Sequence, residues 1–323
     1  PAGLGDNWSD NARAFEIAKQ DPAKRQVFRN TRLGEIDVGG KVRVDWESTS
    51  KRAEPYAMRT IPNGIFALTA GADVQQDRIE VQILGWGRGE RAAVIDYRVI
   101  DGEVTDADTW QELDDYLAAP IVNGFGVEML VACAMVDAGN WQQAVLNFTR
   151  PLRGRNIFAS RGSTVLSRPP IGRPSYPDTR RVKGRDVPDD RRGARLYMLG
   201  VGELKKVLYA RLRADGGHGD AATTPATRFM RFPEGLPDEY FRQLVAEEFN
   251  PGLRKWVALR ERNEALDTAI YAMAAALHPA THGGVHLWRD ADYARLEQLY
   301  EPAEQAKEDA KPPPSVFDRW SRQ

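Results

Sequence analysis

Three apolar segments separated by short polar turns constrain the fold of this chain most strongly. Ile65–Val74 is typical of a strand, Ile79–Trp86 alternates apolar and polar residues, and Ala92–Ile100 is a third apolar stretch. The connections Gln75–Arg78 and Gly87–Glu90 have the length and composition of turns. Three consecutive strands joined in this way predict an antiparallel meander.

The residues after the meander alternate between helical and strand patterns. Thr105 or Asp106 caps a predicted helix, and the continuous apolar run Val127–Val136 indicates a strand that is buried on both faces. The order β-β-β-α-β-α-β then predicts an α/β fold, in which a mixed sheet has helices on both faces. Further predicted elements are the helix Trp141–Thr149, the strands Asn156–Ser160, Leu196–Val201 and Trp256–Leu259, and the helices Val201–Leu212, Asp238–Glu248 and Asn263–Leu277.

The two ends of the chain lack this regularity. Residues 1–60 are polar and are interpreted as a linker or arm with one short helix at Asp10–Ala18, and residues 61–280 form the predicted domain. Residues 281–323 are interpreted as a tail that is partly disordered, since residues 301–323 are charged and rich in proline. Within the domain, residues 161–195 are rich in proline, glycine and arginine and predict a long loop.

The composition excludes some functional classes, and the positive charge is concentrated in one segment. The 45 Lys+Arg and 46 Asp+Glu residues nearly cancel, so attraction to nucleic acid must be local. The segment between Arg150 and Arg195, however, contains 13 basic residues and 4 aspartates. Such a basic segment would bind the phosphates of DNA without recognising the base sequence. A solvated loop without a partner is the alternative for that segment. The single cysteine excludes a disulfide framework and a cysteine zinc site, and no apolar run is long enough to cross a bilayer.

Three aspartates stand in apolar surroundings. Asp73 lies near the end of the first strand, Asp137 directly follows the buried run, and Asp267 lies among apolar residues of the final helix. Burial of a carboxylate is costly unless it is paired or binds a metal. For Asp137 the alternative is a helix cap, and for Asp267 it is a solvent-facing position on the helix.

Close carboxylates repel one another, so a cluster of three requires a cation. Oxygen ligands with space for water suit Mg²⁺ or Mn²⁺. Two such ions activate water and stabilise the leaving oxygen of a phosphodiester. The pattern therefore predicts a two-metal phosphodiester hydrolase with Asp73, Asp137 and Asp267 as catalytic ligands.

The segments Leu68–Val81, Gly85-Trp86-Gly87 and Arg262–Ala272 resemble the nuclease domain of lambda-type (gpA family) phage terminase large subunits. The first motif, Leu68–Val81 with Gly85-Trp86-Gly87, and the final motif, Arg262–Ala272, are the most specific. The resemblance extends from roughly residue 25 to residue 280. Looser similarity is found at Phe28–Thr31, Arg52–Tyr56 and Val94–Tyr97.

The resemblance implies an RNase H-like fold and metal-dependent cutting of concatemeric viral DNA during genome packaging. It supports the three aspartates as metal ligands and adds Glu264, one helical turn before Asp267. Expected partners are double-stranded DNA, the small terminase subunit and the portal or procapsid. The expected location is the host cytoplasm, and no membrane partner is expected. The residues expected to contact DNA are Arg161, Arg168, Arg173, Arg180, Arg181, Lys183 and Arg185.

The sequence departs from the family pattern in one place and lacks a motor motif. Arg161-Gly162 stands where the family has Lys-Gly, and an arginine does not titrate as a proton donor would. The nearest match to a phosphate-binding loop, Gly39-Gly40-Lys41-Val42, lacks the hydroxyl residue and the spacing. We therefore expect the packaging ATPase to be absent, and the chain, which begins at Pro1, to be a fragment.

Two other functions fit the same sequence. One is a non-catalytic RNase H-like module that binds DNA or docks on the portal. The other is a transposase-type strand-transfer enzyme, which needs recognition of terminal repeats, and no helix-turn-helix pattern is evident. The substitution Asp73→Ala distinguishes a nuclease from the first alternative. In a nuclease it should abolish DNA cleavage and leave DNA binding intact.

Overall fold

The computed structural model describes residues 15–16, 44–166, 168–182, 185–213 and 229–302. Its helices are α1 (Trp46–Ser50), α2 (Ala107–Ala118), α3 (Gln142–Leu152), α4 (Val201–Arg213), α5 (Asp238–Leu244), α6 (Glu264–Leu277) and α7 (Asp290–Tyr300). Its strands are β1 (Ala53–Glu54), β2 (Ile65–Val74), β3 (Arg78–Gly87), β4 (Arg91–Asp101), β5 (Ile121–Val122), β6 (Glu128–Met129), β7 (Val131–Asp137), β8 (Ile157–Ser163), β9 (Thr179–Val182), β10 (Arg185–Pro188), β11 (Leu196–Gly200), β12 (Met230–Pro233), β13 (Glu247–Asn250) and β14 (Lys255–Ala258). No helix within these ranges is long and apolar enough to cross a membrane.

An eight-stranded mixed sheet forms the centre of the domain, in the order β1-β12-β4-β3-β2-β7-β8-β11. Strands β2, β3 and β4 pair antiparallel, as the short turns predict. Strands β2, β7, β8 and β11 pair parallel, so their carboxyl ends meet at one edge of the sheet. An antiparallel meander that continues into parallel strands confirms the expected RNase H-like α/β fold.

Helices cover both faces of this sheet, which explains why every residue of β2 is buried. One core contains Phe66, Met135 and the apolar residues of α6. The other core contains Val81 and Val145, with α2 and α3 as its helices. Successive residues of a strand point to opposite faces, so each strand contributes alternately to the two cores.

Helix α6 rests directly on the backbone of β2 at a glycine. A Cβ atom on Gly71 would lie 2.1 Å from the carbonyl oxygen of Thr268 and 2.5 Å from the nitrogen of Ala272. Only a residue without a side chain allows this approach. The contact sets the height of α6 above the carboxyl end of β2.

Several element boundaries differ from those that the sequence predicts. The apolar run Val127–Val136 is divided, because Glu128–Met129 pairs with β5 and only Val131–Asp137 joins the main sheet. The predicted helix Asp238–Glu248 ends at Leu244, and Glu247 begins β13 instead. The predicted loop 161–195 contains the end of β8 and the antiparallel ribbon of β9 and β10.

The domain extends beyond the limits 61–280 on both sides. Strand β1 pairs with β12, and Val44 belongs to the buried core. Helix α7 packs against β2, where the ring of Tyr293 lies 6.4 Å from that of Phe66, and its Leu296 is fully buried. Most of the predicted helix Asp10–Ala18 and residues 303–323 of the expected tail lie outside the described residues.

Candidate active site

The register of the sheet brings two of the predicted aspartates onto neighbouring strands. Ala72 of β2 pairs with Val136 of β7, which places Asp73 beside Asp137 at the carboxyl edge. Asp73 lies two residues after Gly71 on the same strand, so both point to the face of the sheet that α6 covers. Asp137 is the last residue of β7 rather than the residue after it, and it pairs with Ser160 of β8.

The third aspartate comes to the same place from the helix above the sheet. Asp267 lies in the first turn of α6, and Thr268, the next residue, packs on Gly71. The amino end of a helix also favours a negative charge. The fold therefore brings Asp73, Asp137 and Asp267 together on one face of the sheet, although the first and the last of them are 194 positions apart in the sequence.

The pKa of each of the three carboxyl groups is raised, mainly by burial. Burial raises the pKa of Asp73 well above its ordinary value, and the charges of Asp267 and Asp137 raise it further. Burial raises the pKa of Asp267 to about 6, an effect that Lys205 opposes and that Glu247 and Asp137 increase. Burial also raises the pKa of Asp137, while hydrogen bonds from Tyr271 and the backbone of Gly139 and Ala138 oppose the rise.

Each carboxylate accepts a hydrogen bond from an uncharged donor. Gln75 donates to Oδ2 of Asp73 at 2.7 Å, and Asn263 donates to Oδ2 of Asp267 at 3.0 Å. Tyr271 donates to Asp137. Within the described ranges, no group of three or more His, Cys, Asp or Glu side chains is already arranged as a metal-binding set. Neutral donors thus orient the three carboxylates, and the carboxylate oxygens do not surround a common point.

Glu264, the fourth predicted ligand, faces two arginines. Its Oε1 accepts from Arg78 at 2.5 Å and from Arg262 at 3.3 Å. The same arginines bind the fully buried Glu80, at 2.8 Å and 2.9 Å, and Tyr97 also donates to Glu80. The charge of Glu264 still contributes to the raised pKa of Asp73. Glu264 therefore lies near the aspartates but is engaged in an ionic network at the start of β3 and α6.

An ion pair that the sequence did not predict lies next to Asp267. The Nζ of Lys205 on α4 binds both carboxylate oxygens of Glu247 on β13, at 2.7 Å and 2.8 Å, and both side chains are buried. Tyr209 fixes this glutamate by donating to its carbonyl oxygen and accepting from its N–H. The pair adjusts the charge around Asp267, since Lys205 lowers and Glu247 raises the pKa of that aspartate.

The residues predicted to contact DNA are divided between two parts of the surface. Arg161 is exposed on β8, directly after the residue that pairs with Asp137, and its charge counteracts the rise in the pKa of Asp137. The carbonyl of Arg168 approaches Gly200, at the carboxyl end of β11. Arg161 and Arg168 therefore lie at the same edge of the sheet as the aspartates.

The remaining basic residues follow the chain away from that edge. Ile171 bridges to Leu199 and Ser175 bridges to Leu196, so the segment containing Arg173 runs antiparallel to β11 towards its beginning. The ribbon β9–β10, which carries Arg180, Arg181 and Arg185, starts from there. Lys183 lies outside the described residues.

Comparisons with known proteins agree on one family. The model for the endonuclease domain of the terminase large subunit gpA matches residues 2–288. The terminase large subunit of Enterobacteria phage P21 is 31% identical over 268 residues, which are 80% of this chain and 39% of that protein. The terminase large subunit of Escherichia phage lambda is 29% identical over 276 residues, which are 83% of this chain and 41% of that protein.

This chain therefore spans about two fifths of the length of these two relatives. The crystal structure of the HK97 bacteriophage large terminase aligns with 85% of this chain and 52% of that chain, at 13% identity. Its TM-score of 0.33 is too low to support an argument about the site.

Proposed function

Because this chain belongs to the gpA family of terminase large-subunit endonuclease domains, we propose that it cuts double-stranded DNA while a viral genome is packaged. The resemblance found in the sequence is thereby confirmed at the level of the family. The observation that supports catalysis most directly is that the fold brings three carboxylates, those of the buried Asp73 and the half-buried Asp137 and Asp267, to one edge of the sheet. A structural role would not require three neighbouring acidic groups, two of which, Asp137 and Asp267, raise the pKa of the third, Asp73.

The chemistry of these residues fits a divalent cation. Hard carboxylate oxygens suit Mg²⁺ or Mn²⁺, and the mutual repulsion of Asp73, Asp137 and Asp267 is relieved by positive charge. We propose that these three residues hold two such ions. When bound, the ions would supply activation of water and stabilisation of the leaving oxygen.

The chain's own residues have supporting roles in this proposal. Gln75 and Asn263 orient two of the carboxylates, since each donates to one oxygen and leaves the other available. Arg161, exposed beside Asp137, would bind a phosphate of the duplex near the cut. It would not deliver a proton to the leaving oxygen, because a guanidinium remains charged.

Glu264 has a different proposed role from that of a direct ligand. Arg78 and Arg262 hold its carboxylate, and they also hold Glu80, which pairs with Asp73 in the sheet. We propose that Glu264 acts through this network to fix the first turn of α6 against β3. Asp267 lies in the same turn, so the network supports its position.

The proposed substrate is double-stranded concatemeric DNA. The small terminase subunit and the portal or procapsid are the proposed partners, in the host cytoplasm. These assignments follow from membership of the family and from the names of the relatives. The exposed arginine beside the aspartates is the feature of this chain that agrees with a DNA substrate.

Plasmid cleavage by the purified chain tests the proposal. We expect linearisation with Mn²⁺ or Mg²⁺, none with EDTA, and loss of activity in Asp73→Asn with retained DNA binding. Asp101→Asn is the matched control, because Asp101 is an exposed carboxylate at the end of β4. Equal cleavage by Asp73→Asn and the control would contradict the proposed site. A folded wild type that binds DNA without cutting it would favour the non-catalytic docking module.

A further inference from the structure

Four exposed arginines form a basic surface around the β9–β10 ribbon, and we call it the distal arginine patch. Arg181 and Arg185 lie on the ribbon, and Arg191 and Arg192 lie in the turn after it. Among the described residues, none of these four guanidinium groups takes part in an ion pair or a side-chain hydrogen bond. Arg180, by contrast, lies 3.6 Å from Asp190.

The ribbon has no core of its own but its base is firmly fixed. None of the described residues from Thr179 to Pro188 is buried, and a two-stranded ribbon alone is only marginally stable in water. At the base, Asp178 accepts two hydrogen bonds from Arg150, at 2.8 Å and 2.9 Å, and one from the N–H of Ala194 at 2.7 Å. Arg153 donates to backbone carbonyls of the turn at residues 190–193. The fold thus fixes the base of the ribbon and leaves Arg181 and Arg185 in solvent.

The distal arginine patch is well separated from the candidate active site. Its base is tied to α3 through Arg150, and α3 packs on the face of the sheet opposite to α6. The ribbon also adjoins β11, three strand positions from β2, which corresponds to about 14 Å across the sheet. The patch and Asp73 therefore cannot contact the same phosphate group.

We propose that the distal arginine patch binds the phosphate backbone of duplex DNA outside the cleavage site, at least about four base pairs from the cut phosphate. The inference rests on the proposed function, since it assigns a second contact to the same substrate. Guanidinium groups without carboxylate partners match phosphates in charge and in geometry. A protein partner is less suited, because protein interfaces centre on apolar anchors and the ribbon offers only Val182 and Val187.

Affinity for duplexes at several salt concentrations tests the inference. Wild type, Arg181→Ala/Arg185→Ala and Arg191→Ala/Arg192→Ala are compared on a 40-base-pair duplex in EDTA by fluorescence anisotropy. The matched control is Lys51→Ala/Arg295→Ala, which removes the same charge from exposed residues elsewhere. We expect each patch variant to weaken binding about 5- to 30-fold at moderate salt and to reduce the slope of log K against log salt by about 2.

Cleavage measured with Mn²⁺ distinguishes the inference from the function on which it rests. We expect patch variants to lose the preference of the wild type for 40-base-pair over 10-base-pair duplexes and to cut the short duplex at the wild-type rate. If wild type cuts and the patch variants match the control in affinity and salt slope, the patch is not a DNA site and the proposed function stands. If the patch variants lose affinity but wild type never cuts, the DNA site stands and the proposed function fails.

Discussion

Gly71 of β2 and Thr268 of α6 are in direct backbone contact, and a Cβ atom at Gly71 would lie 2.1 Å from the carbonyl oxygen of Thr268. This contact brings the first turn of α6, with Asp267, down onto the strand that carries Asp73. The distance between the helix and the sheet therefore determines the distance between two of the proposed metal ligands.

Gly71→Ala should separate α6 from the sheet. Because the new methyl group would meet backbone atoms that cannot rotate away, we expect a loss of about 2–4 kcal/mol in the free energy of unfolding. We also expect metal-dependent cleavage to fall at least about 10-fold, because Asp267 moves with the helix. Urea denaturation and plasmid cleavage measure the two effects.

Gly154→Ala is the control for that substitution, since a Cβ there would meet nothing within 4 Å. It should leave both stability and cleavage near the wild-type values. Equal effects of the two alanine variants would show that the close packing at Gly71 has no special importance.

Asp73→Asn should stabilise the protein when no metal is present. A carboxyl group whose pKa is higher in the folded state opposes folding when it is ionised. Burial and the neighbouring carboxylates raise the pKa of Asp73, so its removal should add about 1–2 kcal/mol at pH 7.5 in EDTA. Thermal denaturation measures this gain, and Asp101→Asn should show none.

The same effect makes the stability of the wild type depend on pH. For Asp267, with a pKa of about 6 against an ordinary 3.8, the cost appears as the pH rises above about 4 and is complete above about 6. In EDTA, Asp73→Asn and Asp267→Asn should therefore lose less stability than wild type between pH 5 and pH 7.5. Parallel curves for all three proteins would contradict the strained carboxylate cluster.

Lys205→Met should be strongly destabilising, and a second substitution should partly reverse the effect. Removal of the lysine leaves Glu247 buried without a counter-charge, for which we expect a loss of about 3–5 kcal/mol. Lys205→Met/Glu247→Gln removes the stranded charge and should regain at least about half of that loss. A double variant less stable than Lys205→Met would show that the lysine is not acting as the partner of Glu247.

Arg161→Ala should reduce cleavage of a 10-base-pair duplex, mainly through KM. The guanidinium lies beside Asp137 at the carboxyl edge, and we expect loss of one exposed phosphate contact to raise KM about 5-fold. Arg161→Lys should retain most of the activity, since it keeps the charge. Steady-state kinetics with Arg295→Ala as the control measure the effect, and an unchanged KM for Arg161→Ala would remove Arg161 from the DNA contact.

The central part of the fold could be predicted because its signals are local. The strand Ile65–Val74 has the predicted boundaries, since its apolar pattern and the turn after it are both contained in a short segment. The positions of the three aspartates followed from the cost of burying a charge, which the sequence alone makes visible. The proximity of Asp73 and Asp137 then follows from the common edge of parallel strands, whereas Asp267 reaches that edge through the packing of α6 on β2.

The rest depended on contacts between segments that are distant in the sequence. Lys205 and Glu247 are 42 residues apart and meet only after α4 packs beside β13, while the pattern around Glu247 favoured a helix. The run Val127–Val136 is divided because Glu128–Met129 pairs with a short strand of its own. The basic segment is continuous in sequence, but residues 171–175 return along β11 and take the ribbon away from the aspartates.

Anomalous diffraction from crystals grown with Mn²⁺ tests the central claim most directly. The account predicts one or two manganese peaks in contact with carboxylate oxygens of Asp73, Asp137 and Asp267, and their loss in crystals of Asp73→Asn. No peak at these residues, at a Mn²⁺ concentration that supports cleavage in solution, would contradict the proposed metal centre.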